Sequence, residues 1–228
     1  RRQRQMCIRD SVSIIVASRA ALACDRSSGQ GAIRTHVVIK GDTMSAAPLR
    51  VIQWATGSIG THAIPAILED PRLELVGVKV YSESKEGRDV GEMLGLDPIG
   101  IRATRDVDAL LALNAECVLY APLLADLDEM CRLLESGLNV ITPTGWVYLK
   151  EGEERSRLQA ACEKGNTAFH GSGIHPGFSG DRLPLLLSGL SRRIDKVRVI
   201  EICNMSVMSE SPETVSYTHL RAHETRPY

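Results

Sequence analysis

Between residues 50 and 170 the chain alternates short apolar runs of strand character with stretches of helical spacing, and few folds accept that order. Arg50-Val51-Ile52-Gln53-Trp54-Ala55 ends in Thr56-Gly57-Ser58-Ile59-Gly60, which suits a buried strand feeding a tight turn. Ile59, Ala63, Ile67 and Leu68 then recur at helical spacing until Asp70-Pro71 stops the helix, with Pro65 inside it removing one hydrogen bond. Residues 73–80 are a β-rich run that completes a strand, helix, strand unit. Further strands are predicted over 101–104, 117–120, 138–141 and 167–170, and helices over 106–113, 125–136 and 153–164, the last two closed by Gly137 and Gly165 as C-terminal caps. The pattern predicts an α/β, Rossmann-type, doubly wound parallel sheet whose ligand crevice lies at the carboxyl ends of the strands. A helix over 182–190 follows, with Asp181 expected as its N-cap. The polar and apolar alternation of 196–202 then predicts a half-buried strand that begins a second, α+β domain.

A dinucleotide fold needs its first turn to let backbone approach a pyrophosphate, while the next helix offers free N–H groups and a positive dipole end. Gly57 and Gly60 hold the second and third glycine positions of G-x-G-x-x-G, and Ala55 stands at the first. An ordinary strand-to-helix turn would also explain two glycines. The repeated strand-helix units around this one favour a nucleotide, held by Thr56, Gly57, Ser58, Ile59 and Gly60. A valine at Gly60 is then expected to exclude it sterically. After the second strand, Ser82 and Lys85 could hold a 2′-phosphate, whereas Glu83 could hold the ribose hydroxyls of NAD(H). The first reading, NADP(H), is preferred over the second.

Composition narrows the remaining choices. Lysine and arginine number 27 against 28 aspartates and glutamates, so no global field favours nucleic acid or an anionic membrane. The 6 cysteines never fall at CxxC spacing, so neither a zinc site nor a disulfide framework is expected. Residues 1–43 begin with Arg1, Arg2 and Arg4 and an apolar patch broken by Arg19. They read as sequence upstream of a start at Met44, or as a targeting segment with Ala21-Leu22-Ala23-Cys24 as its cleavage site. The first of these readings agrees with a cytoplasmic protein that uses an intracellular nucleotide pool. Residues 216–228 have no hydrophobic period and read as foreign to the domain. The expected organisation is a leader over 1–43, a dinucleotide-binding domain over 44–190, the start of a substrate domain over 191–215, and the tail. Both end segments are expected to lack stable structure, and the lone strand is expected to leave the chain poorly soluble.

Several landmarks also resemble a known family. Trp54-Ala55-Thr56-Gly57-Ser58-Ile59-Gly60 stands where dihydrodipicolinate reductases carry G-A-x-G-R-M-G. Tyr120-Ala121-Pro122 is similar to that family's loop near the nicotinamide ring, and Val140-Ile141-Thr142-Pro143-Thr144-Gly145-Trp146 resembles its V-I-G-T-T-G-F. Gly171-Ser172-Gly173-Ile174-His175-Pro176-Gly177-Phe178 resembles the passage between domains in the relatives of the 2,4-diaminopentanoate dehydrogenase type. The resemblance implies cofactor contacts from Ala121, Pro122, Thr142 and Thr144. It implies a reductase or amine dehydrogenase that uses NAD(P)H on a small imine, amino acid or keto compound, as a homo-oligomer. The reductases' H-H-x-x-K-x-D-A-P-S-G-T is absent from the sequence, so dihydrodipicolinate itself is not the expected substrate. His175, in a glycine-rich turn beyond the sixth strand, is the candidate proton-transfer group. His170 reads as structural, and His62, one turn into the first helix, could touch phosphate. A non-catalytic nucleotide sensor on the same fold is the alternative to an enzyme.

Overall fold

The computed structural model describes residues 47–146, 149–200 and 202. Strand β1 (Leu49–Trp54) leads into helix α1 (Gly60–Glu69) and strand β2 (Leu73–Lys79). A 3-10 turn (Glu83–Lys85) and a short helix α2 (Val90–Met93) precede β3 (Ala103–Thr104), α3 (Val107–Leu111) and β4 (Cys117–Tyr120). Then come α4 (Leu127–Glu135), β5 (Asn139–Thr142), α5 (Glu153–Gly165) and β6 (Phe169–Gly171), followed by a π-helical stretch (Ile174–Arg182) and α6 (Leu183–Ser188). The strands form one six-stranded sheet in the order β3-β2-β1-β4-β5-β6, with every pair parallel. The order reverses between β1 and β4, which puts the crevice of a doubly wound sheet beside the turn after β1.

Both faces of the sheet are covered, and this is why its strands read as continuous apolar runs rather than alternating ones. Along β1, Val51 joins a core with Ala63, Ile64 and Ile67 of α1, whereas Ile52 and Trp54 join a second core with Met130, Leu133 and Leu134 of α4 and Leu158 of α5. Ile64 and Ile67 are fully buried, a contribution of roughly 1.5–3 kcal/mol each. Aspartates start three helices: Asp89 accepts from Gly91 and Glu92, Asp106 from Ala109, and Asp126 from Asp128 and Glu129. Asp89 also accepts from the N–H groups of Ile99 (3.1 Å) and Gly100 (2.8 Å), closing the long loop between β2 and β3.

Four local expectations need correction. Gly137 does close α4 in the left-handed conformation (φ 92°), but α5 is closed by Asn166 (φ 52°, ψ 48°) and not by Gly165. Gly165 is instead a packing residue, since a Cβ there would lie 1.8 Å from the Leu134 carbonyl oxygen on α4. The glycine-rich turn expected after β6 is the π-helical stretch, so Asp181 lies inside helical backbone and not at the start of a helix over 182–190, which is only Leu183–Ser188. No strand forms over residues 196–200 and 202, where Val197, Val199, Ile200 and Ile202 are exposed. The side-chain alternation is there, but among the described residues no neighbouring strand pairs with it, and a single strand does not hold by itself. The chain divides into two compact units between Leu183 and Pro184. The readings of 1–43 and of 216–228 lie outside the described residues. Among those described, no helix is long and apolar enough to cross a membrane, and no group of three or more His, Cys, Asp or Glu could hold a metal ion.

Candidate functional site

The turn after β1 is built around Ala55, which takes a left-handed conformation (φ 74°) at the position of the first glycine. That conformation costs an alanine about 1–2 kcal/mol, and its neighbours hold it in place. The Ala55 N–H donates to the Lys79 carbonyl at 3.0 Å. The amide of fully buried Gln53 donates to the carbonyls of Trp54 (3.2 Å) and Ala55 (3.0 Å). The Ala55 carbonyl explains Gly60: a Cβ there would stand 2.0 Å from that oxygen, so the helix could not pack against the strand end. This corrects the expected role of Gly60, because its missing side chain faces the protein and not a ligand. Gly57 is the residue whose Cβ would meet nothing within 4 Å and would enter open space in front of the turn.

Helix α1 opens behind Gly57 with no side-chain cap and no acidic residue in its first turn. The N–H groups of Thr61, His62 and Ala63 are taken up by the Gly57 and Ile59 carbonyls, so it is the positive dipole end, with the turn in front of it, that is well placed for an anion. Thr61 Oγ1 donates to the carbonyls of Gly57 (2.9 Å) and Ser58 (3.2 Å), and His62 Nδ1 donates to the Ser58 carbonyl at 2.7 Å. His62 thus supports the turn from behind. Lys85 crosses from the 3-10 turn to donate to Thr56, at 3.1 Å to both its carbonyl and its Oγ1. The space before Gly57, the uncapped helix and the Lys85 charge fit the pyrophosphate of a dinucleotide. Ser82 stays outside this group, its exposed Oγ bonded to Ser84 Oγ at 2.8 Å.

The remaining expected cofactor contacts gather at the ends of β4 and β5. The Ala121 N–H donates to the Trp54 carbonyl (3.0 Å), and Thr144 Oγ1 donates to the Pro122 carbonyl (3.0 Å). Fully buried Thr142 donates from Oγ1 to the Thr144 carbonyl and accepts from the Thr144 N–H, each at 2.9 Å. These bonds fasten the two loops to each other beside the point where the strand order reverses.

His175 lies within the π-helical stretch beyond β6, and its side chain is outside the description. His170 sits on β6, where its Nε2 accepts from the Arg182 guanidinium at 3.4 Å. Burial, with Arg182 adding to it, holds His170 below its ordinary value near 6.5. The folded state therefore favours the neutral ring, while the unfolded chain takes up a proton first as the pH falls. The associated stability is complete above pH 6.5 and is lost on acidification below it, well before the carboxylates Asp70 and Asp89 titrate. His170→Gln should flatten the fall of the thermal midpoint between about pH 7 and pH 5. Parallel profiles for parent and variant would refute this.

One constellation was not anticipated. Trp54, Tyr81 and Tyr120 sit at or just past the ends of β1, β2 and β4, and Glu129 of α4 joins them. Glu129 Oε2 accepts from both phenols at 2.8 Å, the Trp54 indole N–H donates to the Tyr81 oxygen at 3.2 Å, and the Asp126 N–H donates to the Tyr120 oxygen at 3.1 Å. Burial and the adjoining carboxylate push both phenols well above their ordinary range, so both stay protonated. Lys79 is buried beneath, its ammonium 4.7 Å from the centre of the Tyr81 ring and bonded to the carbonyls of Val80 and Arg105, each at 3.0 Å. Burial lowers its pKa. The one available signal was the scarcity of aromatics, 4% of the chain, against the presence of three at strand ends.

No family model matches the chain. It is 36% identical over 179 residues to an amine dehydrogenase of Streptomyces virginiae, a match that covers 74% of this chain and 49% of that protein. It is 27% identical over 161 residues to a 4-hydroxy-tetrahydrodipicolinate reductase of Synechococcus elongatus, covering 67% of this chain and 56% of that protein. An amine dehydrogenase structure from Mycobacterium smegmatis shares the fold, with a TM-score of 0.57 at 22% identity over 64% of this chain and 45% of the other. The chain thus spans about half the length of the relatives it matches. Over the residues they share, the chain is thus similar both to amine dehydrogenases and to 4-hydroxy-tetrahydrodipicolinate reductases.

Proposed function

We propose that the chain is the dinucleotide-binding half of an NAD(P)H-dependent oxidoreductase that acts on a small imine, amino acid or keto compound. The observation that carries this reading is the uncapped start of α1 behind the open space at Gly57, beside the reversal of strand order. Thr56, Gly57, Ser58, Ile59 and Gly60 would seat the pyrophosphate, with the Lys85 charge behind Thr56. When bound, the nicotinamide supplies or takes the hydride. Ala121, Pro122, Thr142 and Thr144 would hold the nicotinamide end of the cofactor, and His175 would deliver the proton that the reduced nitrogen or oxygen takes up. NADP(H) is preferred over NAD(H) in this reading, since the 2′-phosphate would meet hydroxyl donors past β2 and positive charge past β3. The whole protein is proposed to be a cytoplasmic homo-oligomer in which residues 44–190 bind nucleotide and 191–215 begin the substrate domain.

Fluorescence titration of the chain with NADPH and NADH tests the first half of the reading, and saturable quenching at roughly micromolar nucleotide is expected. Consumption of NADPH on addition of small imines and keto acids by the whole protein tests the second half. Binding without turnover of any such compound would favour a sensor. No binding of either nucleotide would overturn the reading.

A further inference from the structure

A recess of about 490 Å3 opens at the carboxyl ends of β2 and β3, lined by Lys79, Tyr81, Glu86, Arg105 and Asp106. It adjoins the glycine turn, because the Lys79 carbonyl receives the Ala55 N–H. A nucleotide with its pyrophosphate before Gly57 and its adenosine toward β2 would bring the ribose here. Most of the charged groups in the recess are already committed. Lys79 is bonded to two carbonyls, and Glu86 accepts from Thr104 Oγ1 at 3.0 Å and from the Arg105 N–H at 2.5 Å. Asp106 caps α3 through the Ala109 N–H. The Arg105 guanidinium is bonded by Nη1 to Glu83 Oε1 at 2.8 Å, in a pair whose side chains are 46% and 86% exposed. A pair so exposed is weak and exchangeable. A guanidinium also presents a planar fork of donors that matches phosphate oxygens.

Resting on the reading of the glycine turn as a pyrophosphate seat, we propose that Arg105, delivered by β3, is the residue that discriminates at the 2′ position of the adenosine ribose. It releases Glu83 and takes a 2′-phosphate in its place. With an unphosphorylated ribose the Arg105–Glu83 pair stays closed, and Arg105 adds nothing to binding. Lys85, which sequence position alone would assign to this task, is held by Thr56 and acts on the turn that seats the pyrophosphate common to both nucleotides.

The test is titration of the 228-residue chain and its variants with NADPH and NADH, together with their thermal midpoints. Arg105→Ala should weaken NADPH about 10–100-fold and change NADH by less than about twofold, with an unchanged midpoint. Arg105→Lys should recover part of the loss. Glu83→Gln should tighten NADPH a few-fold by removing the competing carboxylate, and Lys85→Ala should weaken both nucleotides alike. Equal weakening of the two nucleotides by Arg105→Ala, or no change in either, would overturn the proposal while leaving the pyrophosphate seat standing. A parent chain that binds neither nucleotide would remove the seat itself, and the proposal with it.

Discussion

Gly57→Val is expected to leave the fold close to parental stability and to weaken nucleotide binding at least about tenfold, whereas Gly60→Val should cost about 3 kcal/mol or more of stability and abolish binding with the fold. The two glycines are three residues apart in one turn, but their missing side chains point to different things. At Gly57 the added carbons enter open space, and the backbone there needs no glycine conformation. The protein therefore accepts them, and only a ligand lying against the turn is displaced. At Gly60 the first added carbon would meet the Ala55 carbonyl oxygen at 2.0 Å, with the Gln53 amide 3.1 Å away. The oxygen is backbone, and the amide is held by its bonds to the Trp54 and Ala55 carbonyls, so α1 must move off the strand end. Thermal unfolding and nucleotide titration on both variants separate the cases. A Gly60→Val protein as stable as its parent, or a Gly57→Val protein with parental affinity, would contradict the assignment.

Glu129→Ala should cost about 2 kcal/mol, measured as a shift in denaturant midpoint at constant slope. The variant leaves the fully buried Tyr120 hydroxyl without an acceptor, while half-exposed Tyr81 can turn to water. Glu129→Gln should recover much of the loss, because a side-chain carbonyl can accept from two phenols, although without the charge that strengthens such bonds. If Gln proved as damaging as Ala, the carboxylate would matter through its charge rather than as the shared acceptor.

The parallel sheet and the glycine turn were legible because each shows in residues close in sequence: apolar runs of strand length, helical spacing and turn chemistry. The position of Ala55 was visible, but its left-handed backbone was not, since an alanine carries no sign of φ. The exchange of roles between Gly165 and Asn166 had the same origin. Either residue can close a helix, and only the approach of the Leu134 carbonyl decides which place must lack a side chain. The strand expected over 196–202 shows the converse limit, because a period of two reports which side chains share a face and says nothing of a partner. The turn at 56–60 was legible as backbone, whereas the contacts made by side chains brought together across crossovers were not. Tyr81 and Glu129 are separated by 48 residues and Lys85 and Thr56 by 29, and nothing local in either segment announces its partner.

Interstrand hydrogen bonding does not stop where the strands do. The N–H groups of Ala55, Val80, Ala121 and Ser172 donate to the carbonyls of Lys79, Thr104, Trp54 and Thr142 at 3.0, 2.9, 3.0 and 2.7 Å, binding the first residues of four loops laterally into the edge of the sheet. Loop backbone that would otherwise sample many conformations is fixed in the free protein, at an ordering cost of roughly 1–2 kcal/mol per residue already met during folding. A molecule arriving at this edge therefore meets a preorganised shelf and loses little affinity to induced ordering of the chain. Its association should resemble rigid docking, with differences among ligands expressed chiefly in how long each one stays.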